Sequence, residues 1–201
     1  VDGAIVAPVS PPVYGNILDG RARALEVSVH RTAQSGVSGW IAYSFGDLEY
    51  TDRRTGETFD GQFNERHGVT AAATWRISNR TSITSRFRAS SNFPIPGYYR
   101  EEEETFGGAG FLPPLTMKTY YLGEQRNALR LPVYSRLDLR ANRTYTWERR
   151  RLSFFVEVTN IFNRNNPRFA GGDINGRTGR VTGLMEDLFP VLPSAGLLVE
   201  F

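Results

Sequence analysis

The sequence predicts an all-β protein, namely an antiparallel, up-and-down segment of a transmembrane β-barrel with about seven strands. Three observations lead to this prediction. Apolar residues recur at every second position in seven segments of the chain, which is the period of a β-strand. Long and short connections alternate between these segments without exception. All three tryptophans, Trp40, Trp75 and Trp147, lie within a few residues of a short connection.

Each of the seven strands is predicted from its own run of alternating residues. In the first, Leu25, Val27 and Val29 share one face, opposite Glu26 and Ser28. In the others, the apolar positions of the first face are, in chain order, Ile41, Tyr43 and Phe45; Val69, Ala71, Ala73, Trp75 and Ile77; Ile83, Phe87 and Ala89; Leu137, Leu139, Ala141, Tyr145 and Trp147; Leu152, Phe154, Val156 and Val158; and Ala195, Leu197, Val199 and Phe201. The predicted strands cover about 21–31, 37–50, 67–78, 81–93, 133–147, 150–161 and 191–201.

The connections favour a barrel over a one-sided soluble sheet. Short turns are predicted near 33–36, 79–80 and 148–149, and long loops at about 47–66, 94–131 and 162–190. Outer-membrane barrels have this sidedness, with tight periplasmic turns and extended outer loops. Long loops without secondary structure are uncommon in compact soluble domains. Tryptophans near the short turns fit an interfacial girdle, although Trp40 has the opposite parity to the other two.

Composition excludes several other classes of protein. The chain has 201 residues, with 24 Lys plus Arg against 21 Asp plus Glu, and this net charge of +3 is too small to indicate a nucleic-acid partner. It has no cysteine, which excludes disulfides and thiolate metal sites. No stretch approaches the roughly 18 to 20 continuous apolar residues of a transmembrane helix. Barrel strands bury only alternate residues in lipid and therefore fit a mildly polar sequence.

Seven is an odd number of strands, whereas bacterial single-chain barrels use even numbers. An eighth strand in residues 1–19 is disfavoured by Pro8, Pro11 and Pro12, because proline removes a hydrogen-bond donor from a sheet. Residues 1–19 are therefore predicted to be a loop or linker from upstream barrel strands. Residues 20–201 are predicted to be the C-terminal strands of a larger barrel.

Four segments are notable for their order and spacing, namely GRARALEVSV (20–29), NERHGVTAAATW (64–75), LPVYSRLDLRANRTYTW (131–147) and LSFFVEVTNIFNRNNP (152–167). Together they resemble the end of a TonB-dependent outer-membrane receptor. The resemblance implies a 22-stranded barrel in the bacterial outer membrane, filled by an N-terminal plug domain. It further implies uptake of a bulky solute, of the siderophore, cobalamin or oligosaccharide class, coupled to TonB. The partners implied are membrane lipid, the upstream strands and plug of the same protein, and TonB through regions outside this chain.

The last strand carries a separate resemblance. Leu197, Val199 and the terminal Phe201 alternate on one face. This pattern is similar to the signal read by the barrel-assembly machinery, which implies that machinery as a further partner.

Residues suited to catalysis or to a cofactor are few. His30 and His67 are the only histidines and are predicted to lie on different strands, so structural roles are favoured. No nucleophile elbow or phosphate loop occurs. The run Glu101–Glu104 is interpreted as a solvated loop face, with cation binding as the weaker alternative. We therefore predict no enzyme, no cofactor and no metal site.

Two groups of residues are candidate contacts for a solute. The first lies on the polar face of the predicted strands, where it forms either a basic wall for anionic solutes or plug carboxylates, or a set of charges neutralised by Glu26, Asp138 and Glu157. The second lies in the loop of about 94–131, where its rings either stack on a sugar or an aromatic chelator or pack the loop upon itself. The first group is Arg76, Arg86, Arg88, Arg136, Asp138 and Arg140, and the second is Tyr98, Tyr99, Tyr120 and Tyr121.

Two other classes of protein remain open from the sequence. A passive porin or a structural outer-membrane barrel would share the strand pattern. A soluble β-sandwich binding domain would share the alternation of apolar residues, although the loop asymmetry and Phe201 argue against it.

Overall fold

The computed structural model of the chain describes residues 15–107, 115–148 and 150–201. These residues form β-strands and no helix, and the strands pair in antiparallel fashion. Residues 1–14, which include most of the predicted linker, lie outside the described residues. So do residues 108–114 of the predicted loop of 94–131, and Arg149 of a predicted short turn.

The strands are β1 (Leu18–Arg31), β2 (Gly36–Asp52), β3 (Thr58–Asp60), β4 (His67–Ser78), β5 (Thr81–Ser90), β6 (Tyr98–Phe106), β7 (Leu115–Arg126), β8 (Tyr134–Trp147), β9 (Arg150–Thr159), β10 (Pro167–Phe169), β11 (Asp173–Ile174), β12 (Arg180–Thr182), β13 (Met185–Asp187) and β14 (Leu192–Glu200).

The main sheet has the order β1-β2-β4-β5-β8-β9-β14, and β3 adds to it by pairing with β2. Its seven long strands are the seven predicted ones, with each boundary within about three residues, so this part of the prediction is confirmed. Long strands that follow one another along the chain are also neighbours in the main sheet, which is the up-and-down arrangement. Strands β1 and β14 form the two edges, and the sheet is open rather than closed into a ring.

Cross-strand partners share a face of a sheet, so the register shows how the residues divide. One row runs Val29, Ile41, Ala71, Phe87 and Leu137. The next row runs His30, Trp40, Ala72, Arg86 and Asp138. The first belongs to the apolar face of the sheet and the second to the polar face, as the alternation predicts. Trp75 and Trp147 lie on the apolar face, whereas Trp40 lies on the polar face.

All the long connections lie at one end of the sheet, which we call the long-connection end, and all the short turns lie at the other. The prediction of irregular loops is wrong in one respect. Most of the described part of 94–131 is a hairpin of β6 and β7, which β12 and β11 extend into a four-stranded sheet. Strands β10 and β13 form a further pair. Strand β6 contains four consecutive glutamates and therefore lacks the alternation of apolar and polar residues by which the other strands are predicted. Neither face of this hairpin strand needs to be apolar in water.

The hydrophobic core of the described residues sits at the long-connection end. Ile95 is 0% exposed, Leu184 1%, Val181 3% and Leu131 9%, and Tyr99, Tyr120 and other half-buried residues pack against them. These four residues come from two separate connections, Ile95 and Leu131 from the one between β5 and β8, and Val181 and Leu184 from the one between β9 and β14. The core therefore ties the long connections together instead of covering the sheet.

Buried asparagines fix the same region. Asn160 is 2% exposed and has a φ of 54°, a left-handed conformation that asparagine tolerates better than most residues. Its amide donates to the carbonyls of Arg164 and Phe189, at 3.0 and 3.2 Å, and accepts from the Arg164 amide. Its neighbour in the Asn-Ile-Phe-Asn segment, Asn163, accepts from the Val191 amide. This segment thus connects the end of β9 to the start of β14.

Candidate functional site on the polar face

The predicted basic group is brought together at the centre of the sheet. In the pairing of β5 with β8, Arg86 lies opposite Asp138 and Arg88 lies opposite Arg136. With two-residue alternation, all four side chains extend from the polar face. This arrangement places three guanidinium groups and one carboxylate on neighbouring positions of two strands.

These four residues line a concave surface of about 280 Å³. Trp40 and Tyr134 border it, and Ala72 contributes to its floor. A small residue at position 72, between Trp40 and Arg86 in the register, leaves the space that the larger neighbours surround. We call this surface the basic patch.

Much of the charge in the basic patch is compensated. Arg136 donates to both carboxylate oxygens of Asp138, with Nε at 2.8 Å from Oδ1. Arg88 pairs with Glu65 at 2.9 Å. Arg86 forms no ion pair within 4.0 Å among the residues that the structure describes. One arginine of the patch therefore remains available to an external anion.

The other two predicted arginines lie nearer the short turns. Arg140 pairs with Glu157 at 3.4 Å and stacks over the Phe155 ring at 3.9 Å. Arg76 donates to the backbone carbonyl of Gln34 at 3.0 Å. Neither residue lines the basic patch. The neutralisation that the sequence suggested is thus present at Asp138 and Glu157, but for Arg88 the partner is Glu65.

The predicted tyrosines of the 94–131 segment divide between two roles. Tyr99 and Tyr120 pack against the core of the long-connection end, and burial, together with the Glu101 carboxylate, raises the pKa of the Tyr120 phenol above its usual value. The Tyr121 hydroxyl donates to Glu104. Tyr98 is 43% exposed, and its hydroxyl donates to Glu57 at 3.0 Å. Tyr98 also lines a cavity that faces solvent.

The acidic run of β6 does not form one cluster. Its side chains alternate between the two faces of the strand, and Glu101 pairs with Lys118 at 2.6 Å while Glu102 pairs with Arg100 at 2.5 Å. A different set, Asp47, Glu49 and Asp60, places carboxylate oxygens within 4.8 Å of one another. Asp60 already accepts from Arg130, Arg66 and Asn64. We assign no metal to this set.

The last strand presents its apolar residues outward. Leu197 is 67% exposed, Val199 46% and Phe201 92%. Leu197 lies opposite Phe154 of β9, and Val199 lies opposite Leu152, on the apolar face of the sheet. The two histidines make local contacts, with His30 bonded to Ser28 and His67 to the Tyr43 hydroxyl.

Some members of the basic patch are absent from the sequence-based prediction. Trp40 could have been found from its parity, which already set it apart from Trp75 and Trp147. Tyr134 lies two residues before Arg136 and so shares its face. Glu65 could not have been found, because it lies in a connection 23 residues before Arg88 and belongs to no alternating run.

Comparisons with known proteins add no identification. No protein-family model, curated protein or solved structure matches this chain. No helix of the described residues is long and apolar enough to pass through a membrane.

Proposed function

We propose that this chain is the C-terminal barrel portion of a TonB-dependent receptor of the bacterial outer membrane. In this role it takes part in the uptake of a bulky solute of the siderophore, cobalamin or oligosaccharide class. The barrel that it completes is proposed to have 22 strands and to enclose a plug domain, with β1 and β14 each pairing with strands outside this chain.

The observation that carries the proposal is the exposed apolar face of the main sheet. Val29 is 64% exposed, Leu25 58%, Trp75 51% and Ile41 50%. Exposing an apolar side chain of this size to water costs roughly 1.5 to 3 kcal/mol relative to burying it. A face built from seven such strands therefore needs an apolar cover, and lipid supplies one along the whole sheet.

The rival β-sandwich needs a second sheet packed on this face. Among the described strands, the two smaller sheets are built from the long connections, and the apolar side chains of the main sheet stay exposed. The open edges of β1 and β14 also fit an arc of a wide barrel better than a finished domain, since unpaired edges invite association with another chain.

The polar face supports a lumen that contacts water, plug or solute. Its basic patch contains Arg86, which forms no ion pair with the described part of the chain, beside the compensated Arg88 and Arg136. The passive porin is the second candidate, because the compensated pairs of Arg88 and Arg136 suit the wall of a water-filled channel as well as that of a receptor.

Membrane fractionation tests the barrel part of the proposal. We expect the protein to sediment with outer membranes and to require detergent for extraction. Recovery from the soluble fraction without detergent would contradict both barrel readings and favour the sandwich.

Uptake measurements test the receptor part. Labelled ferric catecholate, cobalamin and a malto-oligosaccharide serve as probes in cells with and without functional TonB. The receptor predicts TonB-dependent uptake of at least one probe, whereas the porin predicts uptake that persists without TonB. Replacing Arg86 and Arg136 with alanine should reduce uptake of an anionic probe, and unchanged uptake would exclude a role for the basic patch.

A further inference from the structure

A second cavity, separate from the basic patch, lies at the long-connection end between the first and second long connections. Its volume is about 470 Å³. Its lining includes four aromatic rings, one guanidinium and two side-chain amides. The principal lining residues are Tyr50, Phe59, Gln62, Phe63, Tyr98 and Arg126. We call it the aromatic cavity.

Arg126 is the charged donor of the aromatic cavity. Its guanidinium carbon lies 4.2 Å from the centre of the Phe59 ring, and the ring is only 6% exposed. Stacking on a buried ring fixes the plane of a guanidinium and leaves its N–H edges free. Among the described residues, the Arg126 side chain forms no ion pair within 4.0 Å and no hydrogen bond.

The nearby carboxylate of Glu57 is occupied by other donors. Its Oε2 accepts from the Tyr98 hydroxyl at 3.0 Å, and its Oε1 accepts from the backbone amide of Arg126 at 3.1 Å. The hydrogen bond to Glu57 raises the pKa of Tyr98 above its usual value, so the phenol stays neutral. Glu57 thus orients Tyr98 and the Arg126 backbone while leaving the Arg126 guanidinium available.

The rings of the aromatic cavity provide an apolar surface that is open to solvent. Phe63 is 72% exposed, and Tyr50 packs against Phe59 with ring centres 6.0 Å apart. A planar ring can stack on such a surface, and a carboxylate can accept two parallel hydrogen bonds from a guanidinium. The aromatic rings and the guanidinium therefore lie side by side in one cavity, where Arg126 stacks on Phe59.

We propose that the aromatic cavity binds a ring-bearing organic anion, with the ring among Tyr50, Phe63 and Tyr98 and the anionic group on Arg126. The proposal names a ligand class for the proposed receptor. Only the link between this binding and uptake rests on the proposed function. Binding itself requires the cavity alone.

The test uses the protein purified in detergent micelles and two probes that share one ring system and differ in a single group, a carboxylate or a neutral carboxamide. The fluorescent anion 2-naphthoate is compared with the neutral 2-naphthamide by equilibrium titration. A charge-assisted hydrogen-bond pair is worth about 1.5 to 3 kcal/mol, so we expect naphthoate to bind roughly tenfold to a hundredfold more tightly than naphthamide. Equal affinity for the two probes, or no binding of naphthoate, would overturn the proposal.

Variants locate the site. Arg126→Gln should lower naphthoate affinity at least about tenfold and leave naphthamide affinity unchanged. Arg126→Lys, which keeps the charge but not the fork geometry, should fall between the wild type and Arg126→Gln. The matched control is Arg100→Gln, because Arg100 also lies over an aromatic ring, that of Tyr121, but does not line the cavity.

Two outcomes separate this proposal from the proposed function. If Arg86→Gln abolishes naphthoate binding and Arg126→Gln does not, the anion binds the basic patch and the aromatic-cavity proposal fails while the receptor stands. If naphthoate binds through Arg126 but no probe is taken up in a TonB-dependent manner, the receptor fails while the cavity stands.

Discussion

The long connections and the main sheet of this protein are stabilised in different ways. At the long-connection end, Ile95, Val181 and Leu184 are almost fully buried, and asparagines such as Asn160 satisfy the backbone of the connections. In the main sheet, none of the buried hydrophobic residues lies on the seven long strands, and residues such as Val29 and Ile41 are at least half exposed. The connections carry their own core in water, whereas the sheet depends on its backbone ladder and on whatever covers its apolar face.

Because of this difference, the two regions require different environments. Residues that are buried within the protein should be sensitive to substitution in any solvent. Residues on the apolar face should be sensitive only where lipid or detergent surrounds them. Substitutions in the two regions can therefore test the comparison independently.

The largest effect is expected for Ile95→Asp at the long-connection end. An unpaired carboxylate in a site that is 0% exposed should cost about 3 kcal/mol or more. Hydrogen exchange of the backbone amides in the long connections should then become roughly 100-fold faster, with little change in β1 and β2. The control is Leu115→Asp, since Leu115 is 60% exposed on the β6–β7 hairpin. Equal acceleration in both variants would show that the core of the connections does not hold them.

A smaller effect is expected for Val27→Arg in the main sheet, compared with Ser28→Arg. These neighbours on β1 point to opposite faces, Val27 to the apolar face and Ser28 to the polar face. In lipid vesicles, Val27→Arg should lower the free energy of unfolding by about 2 kcal/mol more than Ser28→Arg, because a charge on a lipid-facing position is costly. Urea titration of the reconstituted protein measures the difference. Identical midpoints for the two variants would contradict a lipid-facing apolar side.

The smallest effect is expected for Asn160→Ala, which sharpens the comparison at the boundary between the two regions. The substitution leaves the carbonyls of Arg164 and Phe189 without their donor and places alanine at a φ of 54°. We expect a loss of about 1 kcal/mol, seen as faster proteolysis of the 162–190 connection. Asn165→Ala, at an exposed position with one hydrogen bond to Asp187, should change the cleavage rate little. Equal cleavage rates in the two variants would remove the special role of Asn160.

The long strands were predictable because one face is apolar along their whole length, so alternation is visible in Leu25, Val27 and Val29. Strand β6 was not predictable, because the Glu101–Glu104 run offers no contrast between its faces. The pairing of β12 with β7, through Val181 and Tyr120, joins residues about sixty positions apart and has no local signal. Distant contacts of this kind are determined by how the connections pack.

The candidate site shows the same limit. Arg86, Arg136 and Asp138 were predictable as neighbours because parity and strand order place them on one face. The compensation of Arg88 by Glu65 and the stacking of Arg126 on Phe59 depend on how the long connections pack at the end of the sheet. Which arginine stays free for an anion therefore follows only from the tertiary structure.

The tryptophans allow the most direct test of the central claim, that the apolar face contacts lipid. Trp75 and Trp147 lie on the apolar face, Trp40 lies on the polar face, and all three are near the short turns. Variants that retain one tryptophan each would be reconstituted with brominated lipids, and their fluorescence quenching compared with that by aqueous acrylamide. We expect bromolipid to quench Trp75 and Trp147 strongly and Trp40 weakly, with the reverse order for acrylamide. Quenching of Trp75 and Trp147 by acrylamide alone, with no effect of bromolipid, would contradict a membrane-facing sheet.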